Sequence, residues 1–276
     1  MDRRTYLGGL TTTGLAGLAG CLGTLEEATS ALGGEEPGRG NWGDGQTVLD
    51  PPTEDRGDPI HPIHGHEMPD FSLPDPLTGE TISTSDLEGE QSYLITFFFT
   101  SCPDGACPAL LLRLRRAQAD SIERGYADDL SLLAMTFDPE RDTADVLEEY
   151  GNQQGVDYDA GNWHFLRPER YEDGKALLED DIGMLIDRVE DGDDHDGHGH
   201  DGDDDQGHDD HDGDDDHSDH DDNDDNDDHD HGEYTFTHIN LILLVNEHGV
   251  VERSYPRGAM VDTSKVLEDV RAVTGN

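Results

Sequence analysis

An apolar run at residues 93–99 is followed within eight residues by two cysteines, and this stretch constrains the fold more than any other. The run reads Tyr-Leu-Ile-Thr-Phe-Phe-Phe, which has the length and composition of a fully buried strand. Cys102 and Cys107 follow it, and Pro108 fits the first position of a helix. We therefore predict a strand, a cysteine-bearing loop and a helix. Cys107 would be the N-cap, where unpaired N–H groups and the helix dipole stabilise a thiolate.

The rest of the segment 66–276 alternates strand-like and helix-like patterns. We predict a short N-terminal hairpin at 71–83, a helix at 108–124, a buried strand at 130–137, a helix capped by Asp142-Thr143, a strand at 163–166, a helix at 170–183, strands at 234–245 and 250–255, and a final helix at 261–273. Parallel crossovers followed by an antiparallel hairpin predict an α/β thioredoxin-like fold. Its central mixed sheet would be flanked by helices.

The first 21 residues have the features of an export signal. Arg3-Arg4, a Gly/Ala/Leu/Thr run and Leu18-Ala19-Gly20-Cys21 resemble a twin-arginine signal that ends in a lipobox. The apolar run is too short and too rich in glycine to span a bilayer. The resemblance implies cleavage before Cys21 and its lipidation. We expect an exported protein held on the outer face of the cell membrane, with Cys102 and Cys107 as its remaining thiols.

The chain is strongly acidic, with 66 Asp and Glu against 17 Lys and Arg and a formal charge of −49. This balance excludes binding to nucleic acid through a basic patch. It also favours a halophilic archaeal source, because high salt screens such self-repulsion. Residues 22–65 are rich in Gly, Glu, Pro and Asp, so we predict a disordered acidic tether. His61 and His64 lie within this segment, and His66 directly follows it. We interpret these three histidines as chance occurrences in a polar linker.

Residues 191–231 form a His/Asp-rich insert. Its 41 residues comprise 22 Asp, 9 His, 6 Gly and four other polar residues, with no apolar side chain. Such a segment buries nothing, so we predict that it is disordered. Neutral imidazoles among carboxylates are ligands for Cu(II), Zn(II) or Ni(II) in many weak sites. The insert is either a metal-gathering antenna or an acidic loop expansion with incidental metal affinity.

Several separated motifs follow one another along the chain. They are the strand entering Phe99-Thr100-Ser101-Cys102-Pro103-Asp104, then Cys107-Pro108, then Phe137-Asp138-Pro139-Glu140-Arg141-Asp142-Thr143 with Val146-Leu147-Glu148-Glu149-Tyr150, then Trp163, and finally Thr237-His238. In this order they resemble the Sco/SenC family of thioredoxin-like copper proteins associated with cytochrome oxidase assembly. The resemblance implies a copper site formed by Cys102, Cys107 and His238. It also implies a partner at the membrane, the copper-bearing subunit of cytochrome oxidase.

The cysteine loop departs from the family pattern in its length. The family usually has three residues between its cysteines, whereas four stand here, and Gly105 is the residue able to absorb the extra length. Two thiolates favour Cu(I), and an added imidazole can hold either Cu(I) or Cu(II). Asp104 is either a group that orients this loop or a solvated turn residue.

The same cysteine pair is also consistent with an enzyme. Cys102 and Cys107 are close enough in sequence to form a disulfide, so a thiol-disulfide oxidoreductase that reduces cysteines of the copper-accepting subunit is the alternative to a metallochaperone. His238 discriminates between them, because a dithiol exchanger does not need it. A third hypothesis is a lipoprotein that only sequesters metal through the insert.

Overall fold

The computed structural model describes residues 42–53, 57–190 and 234–276. The predicted signal with Cys21, the greater part of the predicted tether and the His/Asp insert lie outside these residues. The strands are β1 Ser72–Pro74, β2 Thr81–Ser83, β3 Ser92–Phe98, β4 Leu130–Thr136, β5 Trp163–Leu166, β6 Ile186–Glu190, β7 Tyr234–His238, β8 Ile242–Val245 and β9 Val251–Tyr255. The α-helices are α1 Thr84–Leu87, α2 Ala106–Arg124, α3 Ala144–Gln154, α4 Tyr171–Ala176 and α5 Thr263–Val273.

A five-stranded mixed sheet in the order β5-β4-β3-β8-β9 forms the centre of the fold. β3, β4 and β5 pair in parallel, whereas β8 pairs antiparallel with both β3 and β9. Every residue of β3 and β4 is buried, which explains their unbroken apolar runs. Helices flank the sheet, and β1 and β2 form the predicted N-terminal hairpin. The predicted thioredoxin-like fold is confirmed.

The segment 234–245 is two strands and not one. β7 pairs with β6 in a separate two-stranded sheet, and β8 joins the central sheet. Leu241 lies at the crossing, where its N–H bonds to Ile239 O at 3.0 Å and its carbonyl accepts from the Thr96 hydroxyl at 2.8 Å. Periodicity missed this break because the apolar pattern continues through it. β6 was also missed, since its half-exposed residues have no clear alternation.

The described part of the predicted tether, at 42–53 and 57–65, packs against β9. Gly65 N donates to Val251 O at 2.8 Å, and the backbone N–H groups of Val48 and Leu49 donate to the buried Glu252 carboxylate at 2.7 and 2.9 Å. For these residues the prediction of a disordered tether is wrong. β9 is an edge strand, and this segment pairs with its free backbone groups.

The incidental role assigned to the linker histidines is also wrong for two of the three. His61 and His64 are buried, and their Nδ1 atoms lie 3.0 Å from the carbonyl oxygens of Pro62 and Glu252. Burial lowers the pKa of His61. These side chains help to fix the N-terminal segment on β9.

Within the described ranges, no helix has both the length and the apolar character needed to cross a membrane.

Candidate functional site

The cysteine loop leaves the carboxyl end of β3 and enters α2 through a left-handed glycine. Gly105 is the N-cap, with a φ of 72°, and α2 begins at Ala106. The prediction that Cys107 is the N-cap is therefore wrong by two residues. Gly105 absorbs the extra loop residue, as predicted, because it has no Cβ to oppose this conformation. Pro108 is still within the first turn, where its missing N–H has no intrahelical partner.

The two cysteines are in hydrogen-bond contact but differ in exposure. Both are free thiols; Cys107 is fully buried and Cys102 is partly exposed. The hydrogen bond between them lowers the pKa of Cys102 and raises that of Cys107, and burial raises that of Cys107 further. The lowered pKa that we predicted for Cys107 therefore belongs to Cys102. The positive end of α2 does not offset the burial of the second sulfur.

Asp104 orients the loop between the two cysteines. Its Oδ1 accepts hydrogen bonds from the thiol of Cys102 and from the backbone N–H of Ala106, both at 2.9 Å. These two bonds lower the pKa of Asp104, and the nearby His238 lowers it slightly more. Of the two roles considered for Asp104, the loop geometry favours the orienting one.

His238 ends β7, opposite Ile186 of β6, and its ring packs in an aromatic cluster. Its ring centroid lies 4.9 Å from that of Phe137 and 6.0 Å from that of Phe99, the residue that follows β3. The Nδ1 atom lies 2.9 Å from the carbonyl oxygen of Ile239. Since a carbonyl only accepts, Nδ1 carries the hydrogen and the neutral ring presents the lone pair of Nε2. Burial lowers the pKa of His238, which favours this neutral form.

The fold brings the two sulfurs together. It also places His238 within electrostatic range of Asp104, which lies in the loop between the two cysteines. Among the residues that the structure describes, no three or more His, Cys, Asp and Glu side chains form a group able to hold a metal ion. The predicted ligands are therefore neighbours that do not form a closed three-ligand cluster. His238 ends β7, in the separate two-stranded sheet, and β8 is the strand that pairs with β3.

A buried carboxyl supports the turn before Cys102. Asp142 is fully buried and accepts hydrogen bonds from the backbone N–H of Thr100, at 3.2 and 3.3 Å, and from the hydroxyls of Thr100 and Thr136. Burial raises its pKa to about 6. We predicted Asp142-Thr143 as a capping pair. Thr143 alone is the N-cap of α3, and Asp142 instead points inward. Sequence analysis missed this contact because it joins residues 42 positions apart.

The fold and this site define a thioredoxin-like protein with one partly exposed and one buried cysteine at the end of a central strand. Residues 63–160 match the SCO1/SenC family model, and this range contains both cysteines but not His238. Over this segment the chain is similar to the SCO1/SenC family.

Curated relatives match over a shorter stretch. An SCO2-like protein of Rickettsia felis is 41% identical over 81 residues, which cover 29% of this chain and 37% of that protein. For an SCO2-like protein of Rickettsia typhi the identity is 39% over 72 residues, covering 26% and 34%. The chain thus spans little more than a third of the length of these relatives. Their bacterial source gives no support to the halophilic archaeal source expected from the charge.

Solved structures share the fold over most of the chain. A SCO1/SenC family lipoprotein from Bacillus anthracis has a TM-score of 0.51 and 16% identity, covering 75% of this chain and 94% of that one. BsSco, described as a member of the Sco family of cytochrome c oxidase assembly proteins with a disulfide switch, also has a TM-score of 0.51 and 16% identity, covering 79% and 96%. At this identity the likeness shows the fold alone.

Proposed function

We propose that this chain is a copper metallochaperone that holds copper through Cys102, Cys107 and His238 and delivers it to the copper-bearing subunit of a cytochrome oxidase. One observation carries the proposal. A hydrogen-bonded pair of sulfurs lies in the same loop as Asp104, and Asp104 is within electrostatic range of His238, whose neutral ring presents the lone pair of Nε2. Two sulfurs are soft ligands that suit Cu(I), and Nε2 completes a three-coordinate site when His238 and the loop close on the metal.

The geometry also suits release of the metal. Cys102 is the accessible sulfur and Cys107 is buried beneath it, so an incoming ligand from an acceptor reaches the copper on the Cys102 side. A low-coordinate site leaves room for that ligand. Copper is thus cargo, and the buried sulfur retains it until the acceptor has bound.

A copper titration tests this proposal. The insert is first removed, because its histidines bind metal weakly and obscure the site. Glu190 and Tyr234 are directly paired across the β6–β7 hairpin, so a two-residue Asn-Gly turn can replace residues 191–233 without changing the register. Circular dichroism checks that this shortened chain is folded. We expect one tightly bound Cu(I) under anaerobic competition with a chelator.

Matched variants of the shortened chain identify the ligands. We expect Cys102→Ser and Cys107→Ser to abolish tight binding, and His238→Ala to weaken it. His164→Ala is the control, since His164 lies in β5 with its Nδ1 3.1 Å from Asp75. Tight binding that does not depend on His238 would contradict the three-ligand site.

The alternative function is thiol-disulfide exchange, and the difference between the two cysteines favours it. The Cys102 thiolate would attack a partner disulfide, form a mixed disulfide and release one partner thiolate. The Cys107 sulfur would then attack Cys102, release the second partner thiolate and leave a Cys102–Cys107 disulfide, which an external dithiol must reduce again. Reduction of an oxidised acceptor by the His238→Ala variant at the wild-type rate, without copper, would favour this function.

We further propose that the insert gathers copper for this site. Glu190 and Tyr234, which flank the insert, pair at one end of the β6–β7 hairpin, and His238 lies four residues further along β7, roughly 13 Å from Tyr234. Weak binding of Cu, Zn or Ni by the insert would raise the local metal supply. Equal copper loading of the full and shortened chains at limiting metal would contradict this role. A chain in which the insert alone accounts for the affinity would favour the sequestering lipoprotein instead.

The twin-arginine signal and lipobox in the sequence support export and anchoring of the protein by lipidated Cys21 on the outer face of the cell membrane. Mass spectrometry of the mature N-terminus tests this. We expect a lipid-modified Cys21 and release of the Cys21→Ala variant from the membrane fraction. An unmodified N-terminus upstream of Cys21 would contradict the anchor.

A further inference from the structure

Four large apolar side chains are exposed on segments that border the candidate site. We call them the rim: Ile60, Leu185, Ile239 and Met260, with exposed fractions of 74%, 63%, 39% and 81%. Scattered exposed apolar residues are ordinary on a protein surface, but a group of them beside a reactive side chain is typical of an interaction site.

Two members of the rim flank the end of the β6–β7 hairpin that carries His238. Ile186 and His238 are directly paired, so Leu185, one residue before, and Ile239, one residue after, leave the hairpin at the same end. The carbonyl of Ile239 holds the Nδ1 atom of His238 at 2.9 Å. A partner that touches these two residues therefore lies against the imidazole.

Ile60 extends the rim from the N-terminal segment. An ideal Cβ on Gly183 would lie only 2.5 Å from the carbonyl oxygen of Ile60 and 2.8 Å from its Cγ2. The two backbones are thus in contact two residues before Leu185. A side chain at position 183 would push Ile60 away from this end of the hairpin.

Met260 extends the rim on the side of α2. Gly258 N donates to Asn240 O at 2.6 Å, so the turn Gly258–Met260 lies beside the residue that follows Ile239. An ideal Cβ on Gly258 would lie 2.8 Å from Cδ2 of Leu110 in the first turns of α2. The turn therefore rests on the helix whose second residue is Cys107.

We infer that the rim is the docking surface for a protein acceptor, which presents its copper ligands on an apolar loop. This inference rests on the proposed function. Copper passes between proteins by ligand exchange, so the acceptor must reach Cys102 while the metal is still held, and it then lies against the rim. Burial of the exposed apolar side chains of the rim supplies the attraction.

Copper transfer from the full chain, loaded with one equivalent of Cu(I), tests the rim. One arm uses the soluble copper domain of cytochrome oxidase subunit II as acceptor, and the other uses the small chelator bathocuproine disulfonate. We expect Leu185→Ser, Ile239→Ser and Met260→Ser each to slow transfer to the protein roughly fivefold, as truncation of a central interface residue does. Transfer to the chelator stays unchanged, because a small molecule does not need the rim.

Ile122→Ser is the matched control. Ile122 is 41% exposed, close to the 39% of Ile239, but lies near the far end of α2. It should leave both rates unchanged. If the rim variants transfer copper to the protein as fast as this control, the docking surface is refuted while the proposed function stands. If the shortened chain binds no Cu(I) tightly in the equilibrium titration described under the proposed function, the proposed function is refuted, and copper transfer across the rim with it.

Other occupants of the rim give different results. If the rim substitutions convert a dimer into a monomer in sedimentation experiments, a second copy of the chain covers these residues. If they abolish flotation of the chain with phospholipid vesicles, the rim binds lipid. Either result without an effect on transfer to the protein acceptor overturns the proposal.

Discussion

The sulfur of Cys102 lies 2.9 Å from Oδ1 of Asp104, and the same oxygen holds the backbone N–H of Ala106, the first residue of α2. One carboxylate thus links the accessible thiol to the start of the helix. It fixes the position of the sulfur, and its negative charge opposes thiolate formation there.

Substitution of Asp104 separates these two effects. Asp104→Asn keeps an oxygen for the Ala106 N–H but removes the charge, so we expect the pKa of Cys102 to fall. The rate of iodoacetamide alkylation as a function of pH measures this pKa. Asp128→Asn, an exposed change in the turn after α2, should leave the profile unchanged. An unchanged or raised pKa in Asp104→Asn would contradict the effect of the Asp104 carboxylate on the Cys102 thiol.

The two cysteines should differ strongly in reactivity. Cys102 is partly exposed with a lowered pKa, and Cys107 is fully buried with a raised pKa. We expect iodoacetamide to modify Cys102 more than about tenfold faster, because one pKa unit alone changes the thiolate fraction tenfold. Peptide mass spectrometry after timed alkylation measures the ratio. In denaturant the two rates should converge, and equal rates in the folded protein would contradict the assignment.

Gly105 should matter to the site more than to the fold. Its φ is 72° and no heavy atom lies within 4 Å of an added Cβ, and Gly161 has the same φ and the same open space. We expect Gly105→Ala and Gly161→Ala each to cost about 1 kcal/mol of stability through backbone strain. Only Gly105→Ala should weaken Cu(I) binding, because it alone alters the loop between the cysteines. Equal affinities in a chelator competition would contradict this.

Asp142 should make the free energy of unfolding fall as the pH rises, which is the opposite of the usual effect of an aspartate. Its pKa is about 6 in the folded state, above the usual value of 3.8, so the folded state holds this proton more tightly than the unfolded state. The resulting stabilisation is complete below about pH 4 and is lost as the pH rises through 6, by up to about 3 kcal/mol. Asp142→Asn removes this pH-dependent stabilisation.

Denaturant unfolding at pH 4 and pH 7 measures the effect. We expect the difference in unfolding free energy between the wild type and Asp142→Asn to shift in favour of the variant as the pH rises. Asp145→Asn is the control, since Asp145 is exposed in the first turn of α3. A difference that does not change with pH would show that the pKa of Asp142 is the same in the folded and unfolded states.

Local patterns predicted most of the secondary structure of the central domain. The apolar runs that became β3 and β4, the Thr143 cap of α3 and the left-handed Gly105 were all recognisable, because each depends on residues close in sequence. The start of α2 was placed two residues late because Pro108 is tolerated anywhere in the first turn. The strand break before β8 was missed because Leu241 is held by Thr96, a distant residue.

The sequence named candidate site residues, but it did not predict how the fold arranges them. The resemblance to a known family named Cys102, Cys107 and His238, and the fold places them at one end of the sheet. Which sulfur is accessible depends on how α2 packs on β3, and this packing buries Cys107. The role of Asp142 likewise depends on its contact with Thr100.

The sequence alone determined the class of fold, the cysteine-bearing loop and the acidity of the chain, since apolar periodicity, glycine position and composition are local properties. Tertiary structure alone decided the pairing of the 57–65 segment with β9, the separation of β7 from β8 and the different environments of the two sulfurs. These features arise from contacts between distant residues, where burial and hydrogen bonding depend on which surfaces meet.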